Sequence, residues 1–455
     1  MLILGGIGSG KTSASGRLLA LAYLMHGFGL LWLCAKPDEA DNVRELAFLA
    51  ERESDLRIID AEGTYRFNFL EAERQAKGDN PMQLASVLVE TADQLAAATA
   101  GGRGSSAEGE AFWRAELTKL AENTIQTAIM GGRKVEMATL ANIVRTAPAS
   151  LEEYNSDSWT GECASCLQDA AVQAVKDPEA ERDFDNLVAY WSGDWARLDE
   201  RTRGPIRSSF TTMSRIFDRR PLRRLLSSDT NLSPQDIFDG RIVVVALDPA
   251  THGIDGRICN FVWKQAFQRA VLARRVTQQT RPVCLWADEA QTFIDAKDPD
   301  YQGRCRSARG CTVFMSQSPA ALKRMIPGDK GDDAVIDFLG NLQTKILHQT
   351  SSPEAARFFS DLFSKELVSE MNANIHNGPD GGTSSGSSMT RTERDKLPAI
   401  RFTQLRTGGA ENGYIVEAYI RKSTTPRFLQ TGESFLKVAF PQYHFAPDGY
   451  FDEEG

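Results

Sequence analysis

The sequence predicts an α/β protein, a mostly parallel sheet interrupted by an inserted all-α domain. Three observations predict it. Short apolar runs alternate with helical patterns at both ends of the chain. A glycine-rich loop joins the first apolar run to the helix after it. Between about Glu110 and Gln235 strand signals nearly vanish. With 455 residues the chain is long enough for two or three cores. Its 42% hydrophobic and 25% charged residues exclude a disordered or fibrous chain. No apolar run reaches the roughly 18 residues that span a bilayer, and Met1–Leu4 has no cationic flank of the signal-peptide kind. The expectation is a cytoplasmic chain, or the cytoplasmic part of a larger protein.

Taken in order, Leu2–Leu4 reads as a first strand and Ser13–Met25 as an amphipathic helix. Leu30–Cys34 and Leu56–Asp60 follow as strands, and Met82–Ala100, rich in Ala and Leu, as a helix. Gly101–Ser106 then reads as a flexible loop or boundary. In the insertion, Trp113, Leu117, Leu120, Thr124 and Ala128 mark one helix face, and further helices are expected at 137–146, 164–175, 181–192 and 206–217. Strands resume at Ile242–Leu247, Pro282–Ala287 and Cys311–Met315, and Tyr414–Ile420 reads as a closing strand. Asn377–Ser388, rich in Gly and Ser, reads as a mobile loop, and the acidic, aromatic tail after Pro441 as loosely ordered. These boundaries give a core in two parts, 1–109 and 236–455, with the all-α domain at 110–235.

The chemistry starts at residues 5–12, Gly-Gly-Ile-Gly-Ser-Gly-Lys-Thr, which match G-x-x-x-x-G-K-[ST]. Glycines let the backbone wrap closely and aim N–H groups at phosphate oxygens. The helix that begins near Thr12 adds its positive end. Gly5, Gly6, Gly8, Ser9, Gly10, Lys11, Thr12 and Ser13 are therefore candidate nucleotide-binding residues, with ATP and Mg²⁺ the expected cofactors. Lys11 suits the β- and γ-phosphates and Thr12 suits Mg²⁺. Hydrolysis needs more: an acid for the metal and a base for the water. Pro282–Glu289 is a buried-strand run that ends in adjacent acids. Asp288 is placed to hold Mg²⁺ through water, and Glu289 to orient or deprotonate the attacking water. Gln317, at the tip of the next strand, is a candidate for sensing the γ-phosphate. Arg304, Arg306 and Arg309 lie just upstream of that strand. One of them, with Arg306 chosen, reads either as an arginine finger toward a neighbour in a ring or as part of a solvated basic face. The candidate catalytic set is Glu289, Lys11, Gln317 and Arg306.

The formal net charge of −9 excludes a surface coated uniformly for nucleic acid, but not a local basic channel. Eight arginines fall between Arg201 and Arg224 with only Asp218 against them, which reads either as a phosphate-contacting surface or as a solvated helix face. The seven scattered cysteines suit a reducing compartment. Cys163 and Cys166 form a single C-x-x-C, either a metal pair or cysteines packed in a helix.

In combination these motifs resemble the TraG/TraD-type coupling ATPases of conjugation and type IV secretion, within the FtsK/HerA superfamily. The resemblance rests on the P-loop at 5–12, Lys36 in Ala-Lys-Pro-Asp-Glu, and Phe67-Asn68-Phe69-Leu70. It continues through Asp-Ile-Phe-Asp-Gly-Arg-Ile-Val-Val-Val at 236–245, Trp-Ala-Asp-Glu-Ala-Gln at 286–291 and Phe-Met-Ser-Gln-Ser at 314–318. It implies a RecA-like motor that forms a hexameric ring around DNA and couples ATP hydrolysis to DNA translocation or transfer, with a secretion channel or a nuclease as further partner. Family members usually carry an N-terminal membrane anchor, whereas here the P-loop strand comes first: either the sequence is truncated, with membrane association through partners or a missing anchor, or this is a soluble relative. Two other readings remain at this stage: an ATPase that drives protein substrates through a secretion machine, and a nucleotide-gated assembly module.

Overall fold

The computed structural model describes residues 1–99, 107–324, 331–363, 365–377, 383–423, 428–429 and 431–442. Its strands are β1 (Leu2–Leu4), β2 (Gly29–Leu33), β3 (Leu56–Ile59), β4 (Ile242–Val245), β5 (Val283–Ala287), β6 (Gly310–Ser316), β7 (Thr344–His348), β8 (Lys365–Asn377), β9 (Thr383–Asp395), β10 (Ile415–Lys422) and β11 (Phe435–Pro441). The chain divides into two compact units. One comprises Met1–His26, Trp286–Arg306 and Cys311–Gly455, the other Gly27–Leu285 and Ser307–Gly310.

In the first unit β1 is the central strand, and all three of its residues are fully buried. It pairs in parallel with β6, Leu2 opposite Phe314, and with β7, Leu2 opposite Lys345. β10 runs antiparallel to β7, and β11 antiparallel to β10. The order is β11-β10-β7-β1-β6, and the end of β5 lies beyond β6. Strands buried on both faces read as continuous apolar runs, which is why Leu-Ile-Leu and Val-Cys-Leu-Trp-Ala were visible in the sequence. Phe363, Phe402 and Tyr419 pack in tilted and edge-on contacts with centroids 5.4–6.4 Å apart.

The second unit holds β4 between β2 and β3, parallel to both, with its Ile-Val-Val-Val run buried throughout. From Phe69 to Leu226 every regular element among the described residues is helical. Local chemistry sets several of these helix starts. Asn68 Oδ1 accepts from Glu71 N at 3.2 Å, and Ser150 Oγ from Glu153 N at 3.1 Å. Asp177 precedes Pro178, and Asp199 Oδ1 accepts from Arg201 N at 2.9 Å. Trp191, Trp195, Phe210 and Phe217 are buried in these helices, and Trp191 Nε1 donates to Thr127 Oγ1 at 2.8 Å. On helix Ala107–Met130 the expected apolar face is buried at Leu120, Thr124 and Ala128, but Trp113 is 42% exposed.

The Gly/Ser-rich stretch needs a correction. Thr383–Ser388 is not loop but part of β9, paired antiparallel with β8 from Lys365↔Asp395 to Asn377↔Thr383. Hairpin hydrogen bonds are made by the backbone, so a strand can form without the apolar alternation that announces one. Residues 101–106, residues 378–382 of the Gly/Ser-rich stretch and the tail beyond 442 lie outside the described residues.

Candidate nucleotide site

The first unit gathers the motif residues around the end of β1. Gly10 has φ +79°, and a Cβ there would lie 2.5 Å from Val416 Cγ2, so the loop turns where only glycine fits. A Cβ on Gly5 would meet His348 Cβ and Ser9 Oγ, both at 2.6 Å. Lys11 is buried, and its Nζ donates to the carbonyls of Gly5 (2.8 Å) and Gly6 (3.0 Å). The ammonium thus lies over the loop's own backbone oxygens, partners it can exchange for phosphate oxygens. Among the described residues the buried Ser9 hydroxyl has no hydrogen-bond partner, so it is available to a ligand oxygen.

Thr12 and Asp288 are 276 residues apart in sequence, yet Thr12 Oγ1 donates to Asp288 Oδ2 at 2.7 Å. The other carboxylate oxygen accepts from Glu289 N at 2.8 Å. Glu289 has φ +45° and ψ +48°, left-handed and sparsely populated for a side-chain-bearing residue. Its carboxylate is held by two amides. Gln291 Nε2 donates to Oε2 at 2.6 Å, and Gln317 Nε2 lies 3.4 and 3.3 Å from Oε1 and Oε2. Ser316 Oγ in turn donates to Gln291 Oε1 at 2.7 Å, tying the end of β6 to the residues after β5. Gln291 had no assigned role in the sequence; the signal was its place two residues after the acid pair, in Asp-Glu-Ala-Gln.

Beneath the loop, Ser15 Oγ and His348 Nε2 lie 2.7 Å apart, both residues fully buried. Burial, with the Lys11 charge adding to it, pushes the His348 pKa down to about 3, so the imidazole is neutral. Arg306 is exposed in the turn after helix Asp298–Arg304. Of its two neighbours, Arg304 pairs with Asp300 at 2.6 Å, and Arg309 donates to the Thr280 carbonyl at 2.8 Å.

Two sequence features lie in the second unit. Cys163 and Cys166 are both buried on helix Glu162–Ala174; burial raises both thiol pKa values, that of Cys166 to about 12. Among the described residues no cluster of three or more His, Cys, Asp or Glu suits a metal. The arginine cluster is divided. Arg203 turns inward, its Nη2 donating to Glu200 at 2.7 Å. Arg207 lies 3.6 Å from Glu200, Arg219 2.6 Å from Asp255 and Arg223 3.9 Å from Asp218. Arg201, Arg215, Arg220 and Arg224 are exposed, with no ion pair among the described residues.

The parallel strands around a glycine-rich loop and the acids opposite it define a P-loop α/β core of the RecA-like kind, with an inserted helical domain. Residues 282–407 match the family model described as the TraM recognition site of TraD and TraG. In fold the chain is similar to the bacterial conjugative coupling protein TrwBΔN70, with TM-score 0.62 at 14% identity over 98% of this chain and 85% of that one. It is similar also to the plasmid coupling protein TrwB solved with a non-hydrolysable GTP analogue (TM-score 0.60) and with a non-hydrolysable ATP analogue (0.59), each at 14% identity over 98% of this chain and 86% of the other. No curated protein matches the sequence. The resemblance to TraG/TraD-type coupling proteins thus holds in a family signature over 282–407 and in fold over nearly the whole chain. No helix among the described residues is long and apolar enough to cross a membrane.

Proposed function

We propose that this protein is an ATP-hydrolysing motor that couples hydrolysis to DNA transfer, acting as a hexameric ring. The observation that carries the reading is the 2.7 Å contact between Thr12 and Asp288 with Glu289 alongside, a hydrolytic constellation assembled from two distant motifs. TrwB, similar in fold, has been solved with ATP and GTP analogues and with ADP and Mg²⁺. Thr12 and Asp288 offer hard oxygen donors, which fit Mg²⁺. When bound, the ion neutralises charge on the β- and γ-phosphates. Lys11 and the N–H groups of residues 5–13 would hold the triphosphate, Glu289 would orient the attacking water, and Gln317 would sense the γ-phosphate. Arg306 would act as a finger on the neighbouring subunit's nucleotide. Of the Arg201–Arg224 cluster, the exposed Arg201, Arg215, Arg220 and Arg224 would be available to phosphates of the nucleic acid.

The test is the rate of ATP hydrolysis with single- and double-stranded DNA at rising salt. Stimulation that fades with salt and shows little sequence preference is expected, because phosphate contacts release counterions and do not read bases. Hydrolysis indifferent to DNA at all salt concentrations would point to a protein substrate instead.

A further inference from the structure

The phosphate loop has two sides, and they carry different chemistry. In the order β11-β10-β7-β1-β6-β5, β1 separates β6 and β5 from β7, β10 and β11. Asp288 and Glu289 follow β5, and Gln317 follows β6. Every group suited to the γ-phosphate end other than Lys11 and Thr12 therefore stands on one side. A triphosphate whose γ end faces those groups directs its nucleoside to the opposite side.

What stands there is the loop Thr407–Tyr414, which leads into β10, and Gln442, just past β11. Gln442 ties that loop to the phosphate loop. Its Nε2 donates to Ser13 Oγ at 3.0 Å, its Oε1 accepts from Gly409 N at 2.6 Å, and its backbone N donates to the Tyr414 carbonyl at 2.8 Å. Ser13 directly follows Thr12 in the P-loop helix. Val416, two residues after Tyr414, leaves no space for a Cβ on Gly10. The loop is also held in an uncommon backbone path: Gly408, Gly409, Gly413 and Tyr414 all have positive φ, 85°, 75°, 59° and 55°. Three of the four are glycines, for which this is no burden. Tyr414 is not, and the residue is 41% exposed.

We infer that Thr407–Tyr414, hung on Gln442, is the nucleoside wall of the nucleotide site, with the Tyr414 ring packing against the base. This rests on reading residues 5–13 as the phosphate cradle. An aromatic face on a fixed loop is what a base needs for stacking, and Gln442 sets the distance between that face and the cradle.

The experiment compares two ligands on the full chain by titration calorimetry with Mg²⁺: ATP, and inorganic tripolyphosphate, which has the phosphates and no nucleoside. Wild type should bind ATP about tenfold or more tighter than tripolyphosphate. Tyr414→Ala and Gln442→Ala should each lose about that factor for ATP while keeping wild-type affinity for tripolyphosphate, and Tyr414→Phe should retain the ATP affinity. Equal weakening of both ligands would show that these residues only support the fold, and unchanged ATP affinity in both alanine variants would remove the loop from the site. Lys11→Ala separates this proposal from the reading beneath it. It should abolish binding of both ligands, and if both still bind, the phosphate cradle itself is misread.

Discussion

Around the P-loop, side chains from distant parts of the chain converge and hydrogen-bond: the exposed Thr12 on the buried Asp288, and the half-buried Gln291 and Gln317 on Glu289. Along Arg201–Arg224, side chains close in sequence diverge. Arg203 goes into the helical core, three others go to carboxylates, and four are left facing solvent. The difference is one of organisation. The first region is fixed in advance by mutual hydrogen bonds, so each group counts heavily and geometry decides. The second is a set of hydrated charges acting at a distance, where contributions are small, roughly additive and screened by salt. One substitution should therefore be fatal in the first region and graded in the second.

The largest effect expected is at Lys11. Lys11→Ala should abolish ATP turnover, measured as phosphate release, in a variant that still folds, because Nζ lies on the loop's own carbonyls, where phosphate oxygens would bind. Mixed with Arg306→Ala, it should regain part of the lost activity if the finger acts between subunits, since some interfaces then hold one intact copy of each part. Turnover near wild type in the folded Lys11 variant would break the first half of the comparison.

The arginine surface should respond by degrees. Replacing Arg201, Arg215, Arg220 and Arg224 with Ala should make the salt dependence of DNA binding shallower, by about 0.9 in log–log slope for each arginine that contacts a duplex phosphate. Arg203→Ala should instead leave the slope alone and lower stability by about 1–3 kcal/mol, read from denaturant unfolding, because its bonds go to Glu200 and the Ala196 carbonyl. An unchanged slope in the fourfold variant would move the nucleic-acid surface elsewhere.

The last effect is one of pH. His348 has a folded pKa of about 3 against an ordinary value of 6.5. Between those values the unfolded chain takes up a proton that the folded chain refuses. This contribution to stability is therefore complete above about pH 6.5 and is lost progressively as pH drops toward 3. His348→Gln, which cannot take up that proton, should flatten this part of the stability curve in denaturant melts. An unaltered curve would mean that the imidazole does not carry the acid sensitivity.

How much was legible in advance follows the same division. Residues 5–13 and 288–289 stood out as candidates because the chemistry proposed for them demands fixed residue types at fixed spacing, and β1, β4 and β5 were readable because burial on both faces leaves continuous apolar runs. The hairpin β8–β9 was not, since Leu367, Met371 and Met389 are exposed and its Ser-rich partner strand carries no alternation. Gln442 was beyond reach for another reason. It meets Ser13 across 429 residues of chain, and one glutamine near a C-terminus carries no local sign of such a contact. Arg203 illustrates the converse: composition put it in a cationic surface, and helix geometry turned it inward.

The central claim, that Thr12, Asp288 and Glu289 form one hydrolytic centre, is tested most directly by single-turnover phosphate release from bound ATP in Glu289→Gln. The change keeps the side chain's size and removes its charge. Nucleotide affinity should stay at the wild-type level while phosphate release falls by at least ~10²-fold, the loss of a positioned base. Release at close to the wild-type rate, with ATP bound as before, would contradict the assignment and place the water-activating group elsewhere.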